Sequence, residues 1–243
     1  MRVVFLYSGQ TRSFGKCFTD PKGGHLVVWR SQLWQVVRHY PGALCYASVA
    51  DDENAADIEH LRLMFRDPVI EVIRQPDLPE PAGGATELQA ATPYRISTSV
   101  QAILRQLWHL RKVYALYEPH AREDDVVIRI RPDLFFTRFV PPSELPSPDR
   151  AMAPYWGSFG GMNDRFALLG SRAARCYFTS HDVLADMLRE GAPLHPETLQ
   201  HYVLERRGMH VRHRLIADFV TIRTDGTFAN QVHLPSDPLL YSL

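Results

Sequence analysis

Hydrophobic positions along the chain follow two rhythms, and their alternation predicts the fold. Arg2 to Tyr7 (RVVFLY) is a continuous apolar run closed by Ser8-Gly9, the pattern of a strand buried on both faces. Leu26, Trp29, Leu33 and Val37 then recur at helical spacing within 26–39, and Pro41-Gly42 stops them. A second apolar run, Ala43 to Val49, ends at Asp51-Asp52. A short helix is expected over Ala55 to Phe65 and a third strand over Val69 to Ile73. Gln75 to Pro93 is rich in Pro, Gly and Ala, lacks periodicity and reads as a long loop. The clearest helical stripe runs from Val100 through Leu107 and Trp108 to Tyr117, where Glu118-Pro119 ends it.

Val126 to Phe136 (VVIRIRPDLFF) has the apolar marks of a buried strand, expected over Val126 to Arg131, yet carries charges. Alternation puts Ile128, Ile130 and Leu134 on one face and Arg129, Arg131 and Asp133 on the other. A triply charged face is costly to bury unless the charges pair or meet a ligand. Beyond it lie a proline-rich crossing (Pro141 to Arg150), an extended stretch (Ala151 to Trp156) and a strand at Phe166 to Leu169. A helix is expected from Ser171 to Arg189, and another opens at His195-Pro196-Glu197 with proline in the first turn. The last strands fall within Val211 to Arg223, with a turn at Asp225-Gly226. Alternating strands and helices predict an α/β fold: a single domain with a mixed, mostly parallel sheet flanked by helices.

Composition narrows the function classes. Lys+Arg and Asp+Glu both total 27 in 243 residues, so no net field recruits nucleic acid or an anionic membrane. Cys17, Cys45 and Cys176 are too few and too far apart for a disulfide framework or a zinc site, which suits a reducing compartment. MRVVFLYSG turns polar too quickly for a signal peptide, and no apolar run approaches the ~18 residues of a membrane span. A soluble cytoplasmic protein is expected.

Ligands of such sheets bind outside the carboxyl ends of the strands. Four polar clusters fall there: Ser8 to Arg12, Asp51-Asp52, Arg131 to Asp133, and Gly160 to Arg165. In SGQTRSF, Gly9 permits close backbone approach, while Ser8, Gln10 and Arg12 offer polar contacts to a phosphate or base. Neither GxGxxG nor GxxxxGK is present. Asp133 at a strand end suits a divalent cation bridging a diphosphate, with Arg129 and Arg131 neutralising the same phosphates. The competing reading is an Arg–Asp pair that only braces the fold. Asn163 and Asp164 offer donors and acceptors to sugar hydroxyls, and Tyr155 and Trp156 offer rings to stack on. Glu197 in a helix first turn is expected to be anionic, and so able to act as a general base.

In series, SGQTRSF, IRIRPDLFF, NDRFALLGS and HPETLQHYVLERRGMHV resemble GT-A-fold glycosyltransferase-like proteins of bacterial and viral surface-polysaccharide biosynthesis. The resemblance implies sugar transfer from a nucleotide-sugar donor to a glycan acceptor, commonly with Mn²⁺ or Mg²⁺ on an Asp-x-Asp motif. Here Arg131-Pro132-Asp133 stands in that place, which leaves Asp133 as metal ligand and the first acid absent. On this reading residues 1–136 form the nucleotide-binding half, with Ser8, Gly9, Gln10, Arg12, Asp51, Arg129 and Arg131 toward the donor. Residues 137–243 form the acceptor half, with Tyr155, Trp156, Asn163 and Asp164 toward the sugar, and Glu197 and Asp164 as catalytic groups. The alternatives are a non-catalytic nucleotide-sugar binder of the same fold or another α/β phosphate-ester enzyme.

Overall fold

The computed structural model describes residues 1–19, 25–80, 99–223, 225 and 228–229. Its strands are β1 (Arg2–Gly9), β2 (Cys17–Thr19), β3 (His25–Val27), β4 (Leu44–Ala50), β5 (Val69–Ile73), β6 (Asp125–Ile130), β7 (Leu134–Phe139), β8 (Arg150–Pro154), β9 (Phe166–Gly170), β10 (His210–Arg214), β11 (Ala217–Ile222) and β12 (Phe228–Ala229). The helices are α1 (Val28–Gln35), α2 (Leu61–Met64), α3 (Val100–Tyr117), α4 (Ser171–Phe178), α5 (Leu184–Arg189) and α6 (Pro196–Arg206).

Seven strands form one sheet in the order β10-β8-β9-β6-β1-β4-β5. β1 pairs in parallel with β4 and β6, β4 with β5, and β8 with β10; β9 alone runs against its neighbours β6 and β8. The sheet is therefore mixed and mostly parallel, as expected, and both halves of the chain contribute strands to it. Reversal of β9 places its beginning beside the ends of β6 and β8. Among the described residues, no helix is long and apolar enough to cross a membrane.

Each face of the sheet carries its own core. Val4, Leu6 and Val127 point into a layer built by α3, α4, α5 and α6. Phe5, Tyr7, Ile128 and Ile130 point the other way, against α1 and a small antiparallel sheet of order β12-β11-β7. Strict alternation in β1 and β6 thus feeds two cores, which explains why both strands read as unbroken apolar runs.

The strand expected over Val126 to Arg131 is β6, which ends at Ile130; the alternation extended to Leu134 is corrected, because Leu134 opens β7 in the second sheet. Pro132 supplies no N–H and biases Arg131 away from helical geometry, so Arg131-Pro132-Asp133 becomes the corner between sheets. Leu134 still shares a core with Ile128 and Ile130. The helix expected over Ala55 to Phe65 is largely 3₁₀, from Ala55 to His60, before α2. The helix expected over Ser171 to Arg189 breaks into α4, a 3₁₀ turn (Ser180–Val183) and α5. At that break the Thr179 hydroxyl donates to the Arg175 carbonyl at 2.7 Å, the kind of local bond by which Ser and Thr compete with helix. Most of the expected loop at Gln75 to Pro93, and Gly226 of the expected turn, lie outside the described residues.

One buried carboxylate ties β1, β6 and α3 together. Asp125 accepts from Arg2 Nε at 2.9 Å and Nη2 at 2.7 Å, from the Tyr117 hydroxyl at 2.7 Å and from the Arg122 N–H at 2.9 Å. Burial pushes this carboxyl up, but these four donors outweigh it and hold the group below the ordinary range. Its contribution is therefore present above pH 3.8 and is lost as the pH falls through the lower folded value. Asp125→Ala should cost about 3 kcal/mol in urea unfolding at neutral pH, with the gap to wild type closing in acid.

Candidate functional site

The corner after β6 is pinned from two sides. The Gln32 side-chain amide, fully buried on α1, donates to the carbonyls of Arg131, Pro132 and Leu134 at 3.1, 3.2 and 2.9 Å. From β11, the Ile222 N–H donates to the Asp133 carbonyl at 3.0 Å. Arg131 then folds back on the corner, its Nε and Nη2 donating to the two oxygens of Asp133 at 2.9 and 2.6 Å. Burial works against the Arg131 charge, yet Asp133, Asp164 and Glu197 outweigh it and raise its pKa.

Arg129 sits one alternation deeper and points into the helix layer, fully buried. Its Nη1 donates to the Ser8 carbonyl at 3.3 Å and the Ile130 carbonyl at 2.9 Å, while Nε has no hydrogen-bond partner among the described residues. Burial lowers its pKa; the Tyr177 hydroxyl and Asp164 partly compensate. On α3, burial and the same guanidinium hold His109 down at about 4, so its imidazole is neutral.

The chemistry concentrates where β9 begins. Asn163 caps its own turn, its side-chain oxygen accepting from the Arg165 N–H at 3.0 Å and its amide donating to the Trp156 carbonyl at 3.0 Å. That turn aims Asp164 inward. Asp164 Oδ2 accepts from Gln106 of α3 at 2.6 Å, and its carbonyl accepts from the Tyr177 hydroxyl of α4 at 3.1 Å. Glu197, in the first turn of α6, arrives beside it because the backbone of α6 docks on Gly161. The Met162 N–H donates to the Glu197 carbonyl at 3.0 Å, and a Cβ at Gly161 would lie 2.2 Å from that oxygen.

Two carboxyls so close out of water cannot both ionise cheaply. Burial raises Asp164, but Arg165, Arg131, Gln106 and Arg129 outweigh that and leave it below the ordinary range. Glu197 is pushed up to about 8, first by burial and then by Asp164, despite Arg165. The pair therefore holds one proton at neutral pH, and Glu197 can donate it to Asp164, whose Oδ1 has no hydrogen-bond partner among the described residues. This corrects the expected anionic Glu197: the field of the helix terminus is smaller than the effect of burial beside a second carboxylate. Burial also holds His195 below its usual value, with its Nδ1 3.3 Å from Glu197 Oε2.

The structure thus brings together Arg129, Arg131, Asp133, Asp164 and Glu197. Asn163 shapes the turn, and its side chain is spent there. Trp156 packs on Phe219 at 4.5 Å between ring centroids and donates its N–H to the Ala217 carbonyl, so its ring is engaged in packing. Tyr155 is 61% exposed. Ser8 is buried and reaches the site through its carbonyl. Gly9, with φ of +116°, faces open space. Gln10 and Arg12 line a separate surface depression of about 350 Å³ with Asp52, Glu53 and Asn54, and Asp51 is exposed next in sequence to it. Sequence reasoning missed Arg165, Gln106 and Tyr177 as site residues. Arg165 adjoins Asp164 in NDR, whereas nothing in the α3 stripe marks Gln106.

The donor set does not suit the Mn²⁺ or Mg²⁺ expected at Asp133. Both oxygens of Asp133 are bonded to Arg131, and among the described residues no three His, Cys, Asp or Glu side chains cluster to hold a metal ion.

No protein-family model matches this chain, and no curated protein does. Among solved structures it is similar to mouse xyloside xylosyltransferase 1 in its apo form, at 8% identity and a TM-score of 0.39, over 88% of this chain and 84% of that one. It is also similar to a glycosyltransferase involved in glycosylation of the major capsid of PBCV-1, at 13% identity and a TM-score of 0.38, over 88% of this chain and 82% of that one. Overlaps this loose assign neither a family nor an activity.

The shared proton has a measurable consequence. Between pH 4.5 and about 8 the unfolded chain has lost the Glu197 proton while the folded chain keeps it. The stability contributed by this group therefore falls as pH rises through that window. Glu197→Gln should flatten that part of the profile, measured by urea unfolding at about pH 5, 6.5 and 8.

Proposed function

We propose that this chain is a nucleotide-sugar-dependent glycosyltransferase with a GT-A-like fold, acting on a glycan hydroxyl. The observation that carries the reading is the Asp164–Glu197 pair, one carboxyl ionised and one protonated, set among arginines at the carboxyl edge of the sheet. Transfer of a glycosyl group needs two things at one point: a base for the acceptor hydroxyl proton and positive charge for the departing diphosphate. Asp164 fits the first. It is ionised, oriented by Gln106, and relieved by Glu197, which holds the shared proton. Arg131 fits the second, since its side chain is 26% exposed at the strand end and is oriented by Asp133. Arg129 supports the same edge from beneath. No step in this scheme passes through a metal. The four motifs quoted from the sequence support the assignment of fold and donor class.

A second reading, a nucleotide-sugar binder without turnover, is favoured by one observation: Asp133 is committed to Arg131 where a transferase of this resemblance would place a cation. The two readings separate experimentally. A thermal-shift panel of UDP-, GDP-, dTDP- and CMP-sugars should give stabilisation by one nucleotide class, and by the same amount with and without Mn²⁺. Stabilisation by none at millimolar concentration contradicts both readings. With the donor identified, Asp164→Asn should keep binding and lose about 100-fold or more in turnover; a wild type that binds and turns nothing over supports the binder.

A further inference from the structure

Arg165 lies beside two carboxyls of the site without bonding to either. Its side chain is only 13% exposed, and its closest carboxylate oxygens are Glu197 Oε1 at 3.6 Å and Asp164 Oδ1 at 3.9 Å. Both exceed hydrogen-bond length, and its side chain makes no hydrogen bond to the described residues. The other buried ion pairs of this protein look different. Arg131 meets Asp133 through two bonds at 2.9 and 2.6 Å, and Arg2 meets Asp125 at 2.9 and 2.7 Å. A guanidinium present only to neutralise the carboxyl pair would sit at such distances, because bidentate geometry is where Arg gains most. Gly157, with φ of +62°, packs its backbone close to the guanidinium: a Cβ there would lie 3.2 Å from Arg165 Nη1.

Charge points the same way. Arg129, Arg131 and Arg165 converge on this edge; Asp133 is matched to Arg131, and Asp164 is the remaining ionised carboxylate once Glu197 keeps the shared proton. Three cations against two anions leave the site short of one negative charge.

We propose that Arg165 is an anion receptor, binding a phosphate or carboxylate oxygen of the ligand through N–H donors that the described residues leave unbonded. The ligand group supplies the missing charge, and Asp164 and Glu197 orient the guanidinium without consuming its donors. The receptor role stands on the distances around Arg165 and the charge count of the site; that its ligand is a nucleotide-sugar rests on the transferase reading.

Isothermal titration with inorganic pyrophosphate and, separately, with glucuronate tests this on wild type, Arg165→Gln and Arg165→Lys. Wild type should bind one of the two anions, Arg165→Gln at least 10-fold more weakly, and Arg165→Lys in between. Pyrophosphate as the responsive probe assigns Arg165 to phosphate, and glucuronate assigns it to a sugar carboxylate. Equal affinity in wild type and Arg165→Gln, or no binding of either anion at 10 mM, overturns the proposal. If Arg165→Gln does not fold, Arg165→Lys, which keeps the charge but loses the planar fork, makes the same comparison. Arg165-dependent anion binding without binding of any nucleotide-sugar upholds the receptor and removes the transferase reading. Nucleotide-sugar binding with neither anion responding to Arg165 does the reverse.

Discussion

Three guanidinium groups lie largely out of water at one edge of the sheet, and the local structure is organised by the need to match them. A buried charge without a partner is among the most costly features a fold can carry. Asp133 answers Arg131 from within the same corner. Arg129 is answered by main-chain carbonyls and by the field of Asp164. Arg165 draws Asp164 and Glu197 into one place, where their mutual repulsion keeps a proton on one of them. Much of the surrounding hydrogen bonding holds these groups in position: Gln32 under the corner, Gln106 on Asp164, Asn163 in the turn, and the docking of α6 on Gly161.

That arrangement follows from topology as much as from residue type. β9 runs against its neighbours, so its beginning lies beside the ends of β6 and β8. Residues far apart in sequence, such as Arg131, Asp164 and Glu197, thereby share one small volume. A parallel β9 would have carried Asp164 and Arg165 to the opposite edge of the sheet.

Much of this was legible in the sequence. The apolar runs at β1, β4 and β6 and the stripe of α3 were readable because each feeds a continuous core. The strand-end clusters were readable because charged residues stand next to those runs. What escaped has physical causes. Pro132 splits one apparent strand between two sheets, which periodicity alone does not show because Leu134 returns to the same core. Glu197 looks like an ordinary first-turn acid, and only the fold shows that a second carboxylate sits against it. Gln106 is a polar residue on an amphipathic helix, indistinguishable in sequence from a solvated one. The rings of Trp156 and Phe219 pack on each other, a contact that no local pattern announces.

The central claim is that Asp164 and Glu197 hold a single proton between them at neutral pH. ¹³C NMR of side-chain carboxyl carbons, followed from pH 4 to 10 and assigned with Asp164→Asn and Glu197→Gln, observes that proton directly. The account predicts a Glu197 resonance that titrates near pH 8 and shifts to lower pH when Asp164 is replaced. Two carboxyls fully ionised from pH 5 upward would contradict it.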